Sequence, residues 1–117
     1  MPFKFEKLLV WQRALALSTD VHNLTRAFPK DELFILSAQI KRAADSVSIN
    51  IAEGSTGQSN AEFARFISYA SRSLIEVVSC IHLGKNRLLI SSEQFEILYR
   101  QCEELLVMLN ALKKTLK

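Results

Sequence analysis

The sequence predicts an all-α protein that folds as an antiparallel, up-down-up-down four-helix bundle. Apolar residues recur at steps of three and four in four separate segments, which is the spacing of amphipathic helices. Nearly half of the 117 residues are hydrophobic, and only three are glycine and two proline, which disfavours a loop-rich β fold or a disordered chain. The segments are joined by a few residues each, so successive helices should pack side by side in opposite directions.

The first two helices are separated at Pro29. We expect the first helix over about residues 4–28, because proline cannot occupy a helix interior and ends it. The second is expected over about residues 31–53, with Asp31 and Glu32 in its first turn near the positive end of the helix dipole. The apolar stripe of the first helix consists of Val10, Ala14, Leu17, Val21, Leu24 and Phe28.

The remaining boundaries are set by glycine and serine. Gly54 suits a left-handed terminus for the second helix. The third helix, over about residues 59–86, begins with Ser59 and Glu62 in the Ser-x-x-Glu form of a capping box. The fourth is expected over about residues 92–115, and Ser91-Ser92-Glu93-Gln94 offers another cap at its start. Its apolar stripe, with the spacing typical of bundle packing, is Phe95, Leu98, Cys102, Leu105, Leu109, Leu112 and Leu116.

The stretch EGSTGQS raises the question of a phosphate-binding loop. A P-loop needs glycine, four residues, and then Gly-Lys-Ser/Thr, because the lysine must reach the phosphates. Gly54 and Gly57 are only three residues apart, and no lysine follows. A predicted helix precedes the loop, where nucleotide-binding patterns require a strand. We interpret the stretch as a corner between two helices.

Length and charge limit the class of protein. A chain of 117 residues fits a single domain, residues 1–117. No uncharged run exceeds eight residues, whereas a membrane span needs about 20, and the N-terminus has no apolar signal segment, so a cytoplasmic protein without membrane contact is expected. The formal charge of +3 permits contact with nucleic acid without requiring it.

Residues able to do metal or covalent chemistry are few. His22 and His82 have no ligand-type partner at helical spacing, so we predict neither a metal site nor a cofactor. Cys80 and Cys102 are interpreted as small core residues, with a disulfide as the alternative. No Ser-His-Asp or Cys-His arrangement can be recognised in a chain this poor in histidine, so no enzymatic activity is predicted.

A polar stripe follows the second helix and faces the third. If the chain folds back at the glycine corner, Arg65 should lie near Ser46, and Arg72 near Gln39. The stripe can be a solvated face, a hydrogen-bonded seam that fixes register within or between subunits, or a ligand surface with arginines for phosphate. The residues of this polar seam are Gln39, Arg42, Ser46, Asn50, Glu53 and Glu62.

The apolar content exceeds what one stripe per helix can bury. A four-helix monomer cannot hide all of these side chains, so some should line a subunit interface. The surplus residues are Leu8, Leu9, Trp11, Leu15, Phe34, Ile49, Ile75, Leu83, Val107 and Met108.

Several stretches resemble a known family. FEKLLVWQRA, FPKDELF, SAQIKRAADSVSINIAEG and EFARFISYASRSLIEV are similar to the four-helix-bundle proteins encoded in intervening sequences of bacterial 23S rRNA genes. The resemblance implies a ring-like homopentamer, kinship with the accessory protein of diversity-generating retroelements, no established enzymatic activity and a largely unassigned role. The sequence departs from the family pattern at Ile35, Gln58 and Arg72. An uncharged Gln58 weakens a nucleic-acid role for the loop, whereas Arg72 adds a charge on the third helix.

Two hypotheses of function remain. In one, the oligomer binds structured RNA or DNA with low specificity, and its log affinity falls with log salt. In the other, it is an assembly or adaptor module whose partner is an unidentified protein, and the basic residues serve solubility. The candidate nucleic-acid-binding residues are Lys41, Arg42, Arg65, Arg72, Lys85 and Arg87.

Overall fold

The computed structural model describes residues 2–57 and 59–117. No strand occurs among these residues, which confirms the all-α class. Two short 3-10 helices, Lys4–Lys7 and Lys30–Glu32, precede the first and second α-helices. The α-helices are α1 (Leu9–Thr25), α2 (Leu36–Ser55), α3 (Asn60–Asn86) and α4 (Ser92–Lys114).

The second helix begins later than the sequence predicted. Asp31 and Glu32 lie in the 3-10 helix rather than in the first turn of α2. There the amide of Glu32 donates to the carbonyl of Pro29 at 3.0 Å, an i→i+3 bond that tightens the chain. Ile35 then leaves the helical region, with φ −116° and ψ −104°. The interruption delays α2 by about one helical turn.

The second helix also ends differently from the prediction. It continues through Gly54 to Ser55, and none of the glycines that the structure describes has a positive φ. The predicted left-handed terminus at Gly54 is therefore wrong. A Cβ atom at Gly54 would lie 2.5 Å from Cβ of Phe66 and 3.0 Å from Cδ1 of Phe63. Glycine is needed there because α3 approaches the backbone of α2 too closely for a side chain.

Serine side chains cap the last two helices, but of the two bonds of the capping box predicted at Ser59 only the one to Ser59 Oγ occurs. Ser59 Oγ accepts a hydrogen bond from the amide of Glu62 at 3.1 Å. Ser91 Oγ accepts from the amide of Gln94 at 3.0 Å, and the Gln94 side chain accepts from the amide of Ser91 at 2.8 Å. The second pair completes a reciprocal capping box.

A left-handed leucine ends α3. Leu88 has φ 63°, and its amide donates to the carbonyl of Lys85 at 3.1 Å. The amide of Leu89 donates to the carbonyl of Gly84 at 2.8 Å. These two bonds form a Schellman motif, in which glycine usually occupies the position of Leu88.

Contacts between helices give their directions. Gly54 meets Phe66, whereas Gln39, nearer the start of α2, donates to Glu76 at 3.4 Å. Residue numbers thus rise along α3 as they fall along α2, so these helices run in opposite directions. The same holds for α1 and α4, where Arg13 lies 3.6 Å from Glu104 and the Asp20 carboxylate accepts from Gln101 at 2.8 Å.

The bundle is elongated, 43 × 23 × 21 Å, and its two ends differ. At one end the α1–α2 connection meets the α3–α4 connection, and Arg87 Nη1 lies 3.9 Å from Glu32 Oε1. We call this the cavity end, for the recess described below. At the other end α2 turns into α3 beside Gly54, and we call it the glycine end.

One continuous core connects the two ends. It draws buried side chains from all four helices. In α4 the predicted stripe is buried from Phe95 to Leu109, while Leu112 and Leu116 pack against the core only in part. In the described part of the chain, every helix is too short or too polar to cross a membrane.

Candidate functional site

A recess of about 280 Å³ opens at the cavity end, between the last turn of α1 and the first turns of α2. The residues that line it include three with cationic side chains, Arg26, Lys30 and Lys41, together with His22. The sequence placed only Lys41 among the candidate binding residues. The others were missed because the recess joins two helices and their connection, and no motif spans that distance in the sequence.

Three polar residues form a cluster beside the recess. Asp45 of α2 accepts a hydrogen bond from Ser18 Oγ of α1. His22 Nε2 lies 3.0 Å from the same carboxylate oxygen. In a hydrolase triad the imidazole stands between serine and carboxylate, whereas here the carboxylate stands between the other two. The cluster therefore joins α1 to α2 without activating Ser18.

Sequence reasoning missed this cluster because its partners lie on different helices. Ser18 and His22 are four residues apart, so they share one face of α1. Polar side chains on the packed face of a helix require partners. This need for a partner was the signal in the sequence that could have indicated the cluster. The carboxylate of Asp45 on α2 is that partner.

The predicted polar seam bonds mainly to its own helix. Ser46 Oγ donates to the carbonyl of Arg42, and Asn50 Nδ2 donates to the carbonyl of Ser46, both at 2.8 Å. The bond across to α3 runs from Gln39 to Glu76, one helical turn beyond the residue expected there, Arg72. Of the other seam residues, Glu53 is exposed and Glu62 is half-buried.

The six candidate nucleic-acid-binding residues do not form one patch. Lys41 lines the recess, Lys85 Nζ lies 4.7 Å above the ring centroid of Phe95, and Arg87 faces Glu32, so these three are at the cavity end. Arg42 and Arg72 are exposed along the bundle, and Arg65 is exposed near the glycine end. Gln58 lies outside the described residues.

Both cysteines are buried with free thiols. Burial raises the pKa of Cys102 to about 12. Burial, and then the nearby Glu76 carboxylate, raise the pKa of Cys80. Both side chains are thus neutral core residues at physiological pH, as the sequence predicted. Among residues 2–57 and 59–117, no cluster of three or more histidine, cysteine or carboxylate side chains could hold a metal ion.

Much of the predicted surplus of apolar side chains remains on the surface. Leu8, Trp11 and Met108 pack partly against the core. An apolar groove of about 230 Å³ lies between α3 and α4, with Ile75 and Tyr99 among its walls. The surplus residues that are exposed are Leu9, Leu15, Phe34, Ile49, Ile75, Leu83 and Val107.

The fold and these surfaces define a four-helix bundle with an exposed apolar groove and a basic recess. A comparison with protein-family profiles matches residues 6–111 to the family described as 23S rRNA-intervening sequence protein. The chain belongs to this family.

Comparison with solved structures finds proteins of similar fold. A crystal structure of a protein of unknown function from the S23 ribosomal protein family of Bacteroides thetaiotaomicron is similar, with a TM-score of 0.84 and 25% sequence identity. The match covers 91% of this chain and 99% of that one. A comparison with curated proteins finds no match.

Proposed function

We propose that the chain is a non-enzymatic bundle that assembles into a homo-oligomer, and that the oligomer binds RNA or DNA with little sequence preference. The observation that carries the proposal is the number of large apolar side chains left exposed on one subunit. The net positive charge of the chain then makes RNA or DNA the expected partner of the assembly. Five subunits are the expected number, because the family resemblance implies a ring-like pentamer.

Self-assembly is supported by the groove between α3 and α4. Ile75 is 56% exposed beside it, and Val107 on α4 is 65% exposed. Full burial of one such side chain contributes about 1.5–3 kcal/mol. A second copy of the chain that covered several of them would therefore gain enough to offset part of the entropy lost on association.

Light scattering tests the assembly. At micromolar concentration we expect a mass several times 13.3 kDa, with five subunits as the specific expectation. Ile75→Asp should lower that mass, because a charge in the groove opposes burial. Thr19→Asp, an added charge at an exposed position of α1, is the control and should keep the parent mass. A parent protein of 13.3 kDa would refute self-association, and an unchanged mass for Ile75→Asp would exclude the groove as the interface.

Nucleic-acid binding is supported by cations without carboxylate partners. Among the described residues, Arg42, Arg65 and Arg72 take part in no ion pair, and all three are exposed. One chain has a formal charge of +3, so five copies would carry about +15. A ring that gathers this charge can contact several phosphates at once and release their counterions, which raises affinity without sequence readout.

Fluorescence anisotropy with single-stranded RNA and DNA of mixed sequence tests this part. We expect binding at about 50 mM salt, with log affinity falling linearly as log salt rises. RNAs of equal length and different sequence should bind alike. If the parent protein binds neither RNA nor DNA under these conditions, the nucleic-acid function is refuted.

The alternative is an adaptor module whose partner is an unidentified protein. Two observations favour it. The apolar groove could receive another protein, and two of the six candidate cations are engaged within the chain, Lys85 with Phe95 and Arg87 with Glu32. An oligomer that forms normally but binds neither RNA nor DNA would favour this alternative.

A further inference from the structure

We propose that the recess between α1 and α2 is a binding site for the phosphate group of a phosphate monoester. The proposal does not rest on low-specificity nucleic-acid binding, because it concerns one recess in each subunit. Lys41 is the one residue shared with the candidate nucleic-acid surface.

The charges around the recess favour an anion. Arg26, Lys30 and Lys41 line it, and none of its lining residues is acidic. In the described part of the chain, these three cations take part in no ion pair. The neighbouring carboxylate of Asp45 accepts from Ser18 and His22, and that of Glu32 faces Arg87 at 3.9 Å. Three cations are thus left to pair with a ligand.

Ser37 adds a hydroxyl group to the recess. The residue lines the recess and is only 2% exposed. Among the described residues, its hydroxyl has no hydrogen-bond partner, unlike the hydroxyls of Ser46 and Ser48 on the same helix, which bond to backbone carbonyls. The fully buried side-chain atoms without a partner in the described part of the chain are Glu32 Oε1 and Gln101 Oε1, so Ser37 Oγ keeps some accessible surface and is free to bond to a ligand oxygen.

The backbone at this position also favours an anion. Ser37 is in the first turn of α2, and the N-cap residue, Ile35, makes no side-chain cap bond. The first amides of a helix have no intrahelical acceptor, and the dipole makes this end positive. A phosphate beside Ser37 could accept from these amides, as phosphates do at other helix N-termini.

The C-terminal end of α1, on the other side of the recess, should repel an anion little, because its last carbonyls are already hydrogen-bonded. Those of Leu24 and Thr25 accept from the amides of Ala27 and Phe28 at 3.3 and 3.0 Å. That of His22 accepts from the Thr25 hydroxyl at 2.9 Å. The partial negative charge at this helix end is thereby reduced.

The size and the apolar wall define the ligand further. The recess of about 280 Å³ lies just below the range of drug-sized pockets, about 300–1,000 Å³. Phe28, Pro29 and Leu33 form an apolar side, which suits the carbon portion of an ester rather than a bare ion. The phosphate could belong to a free small ester or to the 5′ end of a nucleic-acid strand.

The test is titration of the full chain with inorganic phosphate and adenosine monophosphate at about pH 8, where a phosphate monoester carries close to two charges. Amide chemical shifts of Thr25 and Ser37 should move with a saturable dependence on concentration. Lys30→Gln/Lys41→Gln should weaken adenosine monophosphate binding by about tenfold or more, the size expected when charge-assisted hydrogen bonds are lost. Ser37→Ala should weaken it by several-fold.

The matched control is Lys113→Gln/Lys114→Gln, which removes two charges at the end of α4, away from the recess. It should bind adenosine monophosphate as the parent does. An oligonucleotide with a 5′-phosphate that binds better than its 5′-hydroxyl counterpart would identify a strand end as the source. No preference, with adenosine monophosphate bound, would identify a small ester.

Two results would overturn the site. One is the absence of shift changes at about 10 mM ligand, which is above the Kd of about 1 mM typical of weak binding. The other is equal affinity for the parent, Lys30→Gln/Lys41→Gln and Ser37→Ala. Phosphate binding by a protein that binds no long RNA or DNA would refute only the nucleic-acid function.

Discussion

The two ends of the bundle are built in opposite ways. At the glycine end, α2 turns into α3 within a few residues, Phe66 lies against Gly54, and Ser59 caps the new helix. At the cavity end, ten residues connect α1 to α2, and α2 begins without a side-chain cap. Close packing leaves no room for a ligand at the glycine end. At the cavity end the longer connection leaves a recess beside the uncapped amides of α2. The end with more unsatisfied groups is the one suited to a ligand.

Gly54 and Leu88 show the same contrast at single residues. The glycine has helical dihedral angles, and it is required only because a Cβ atom would collide with Phe66. The leucine has φ 63°, where glycine is favoured, and its side chain is 90% exposed. Packing therefore determines the residue at the glycine end, while backbone strain is tolerated at the cavity end.

Substitutions in the core, which connects both ends, should have the largest effect on the free energy of unfolding. Leu105→Ala and Leu109→Ala should each lower the free energy of unfolding by about 2–5 kcal/mol, because each removes buried methylenes and leaves a cavity. Ile97→Ala on the same helix is the control, since Ile97 is 55% exposed, and it should cost less than about 0.5 kcal/mol. Chemical denaturation measures all three. Parent-like unfolding of both leucine variants would mean that the stripe of α4 is misassigned.

Gly54→Ala tests the close packing of the glycine end. The added Cβ atom, 2.5 Å from that of Phe66, must push α3 away, so we expect a loss of about 1–3 kcal/mol. Gly84→Ala is the matched control, because there a Cβ atom would meet Ile90 at an ordinary 3.6 Å. That variant should be neutral or more stable by about 0.5–1 kcal/mol, since alanine favours a helix interior. Equal effects of the two substitutions would contradict the contrast between these positions.

Leu88→Gly tests the strain at the cavity end and should have the smallest effect. The left-handed conformation costs a leucine about 1–2 kcal/mol, while glycine loses about 0.5–1 kcal/mol more entropy on folding. Because the side chain of Leu88 is 90% exposed, little burial is lost. We expect the free energy of unfolding to rise by about 0.5–1 kcal/mol, measured by thermal denaturation. A lower melting temperature would indicate that the leucine side chain stabilises this end.

Features that depend on local periodicity could be predicted from the sequence. The buried stripe of α4 from Phe95 to Leu109 and the caps at Ser59 and Ser91 follow from spacing and from neighbouring residues. The start of α2 could not be predicted, because the residues before Ile35 form a 3-10 turn whose composition also suits the first turn of an α-helix. The role of Gly54 could not be predicted either, because it depends on Phe66 in the next helix.

The candidate site was less predictable than the fold. Lys41 was recognised as a basic residue, but the recess that includes Ser37 and Lys30 forms only when α1, its connection and α2 come together. The bond of His22 to Asp45 likewise joins two helices. Sequence spacing identifies which residues share a helix face, and it does not identify which side chains of another helix they meet.

The central claim is that particular basic residues of the bundle, rather than its total charge, bind nucleic acid, and one comparison of binding constants tests it. RNA affinity and its salt slope should be measured for the parent and for three double variants. Two are Lys41→Glu/Arg42→Glu and Lys85→Glu/Arg87→Glu, and the third, at the glycine end, is Lys113→Glu/Lys114→Glu. Light scattering checks that each variant still assembles. We predict weaker binding and a shallower salt slope for the first two variants. The slope should fall by about 0.7 for each phosphate of a single strand that the protein no longer neutralises. The third variant should bind about as well as the parent. Equal reductions in affinity for all three variants would contradict this claim, because affinity would then follow total charge rather than the residues proposed to bind.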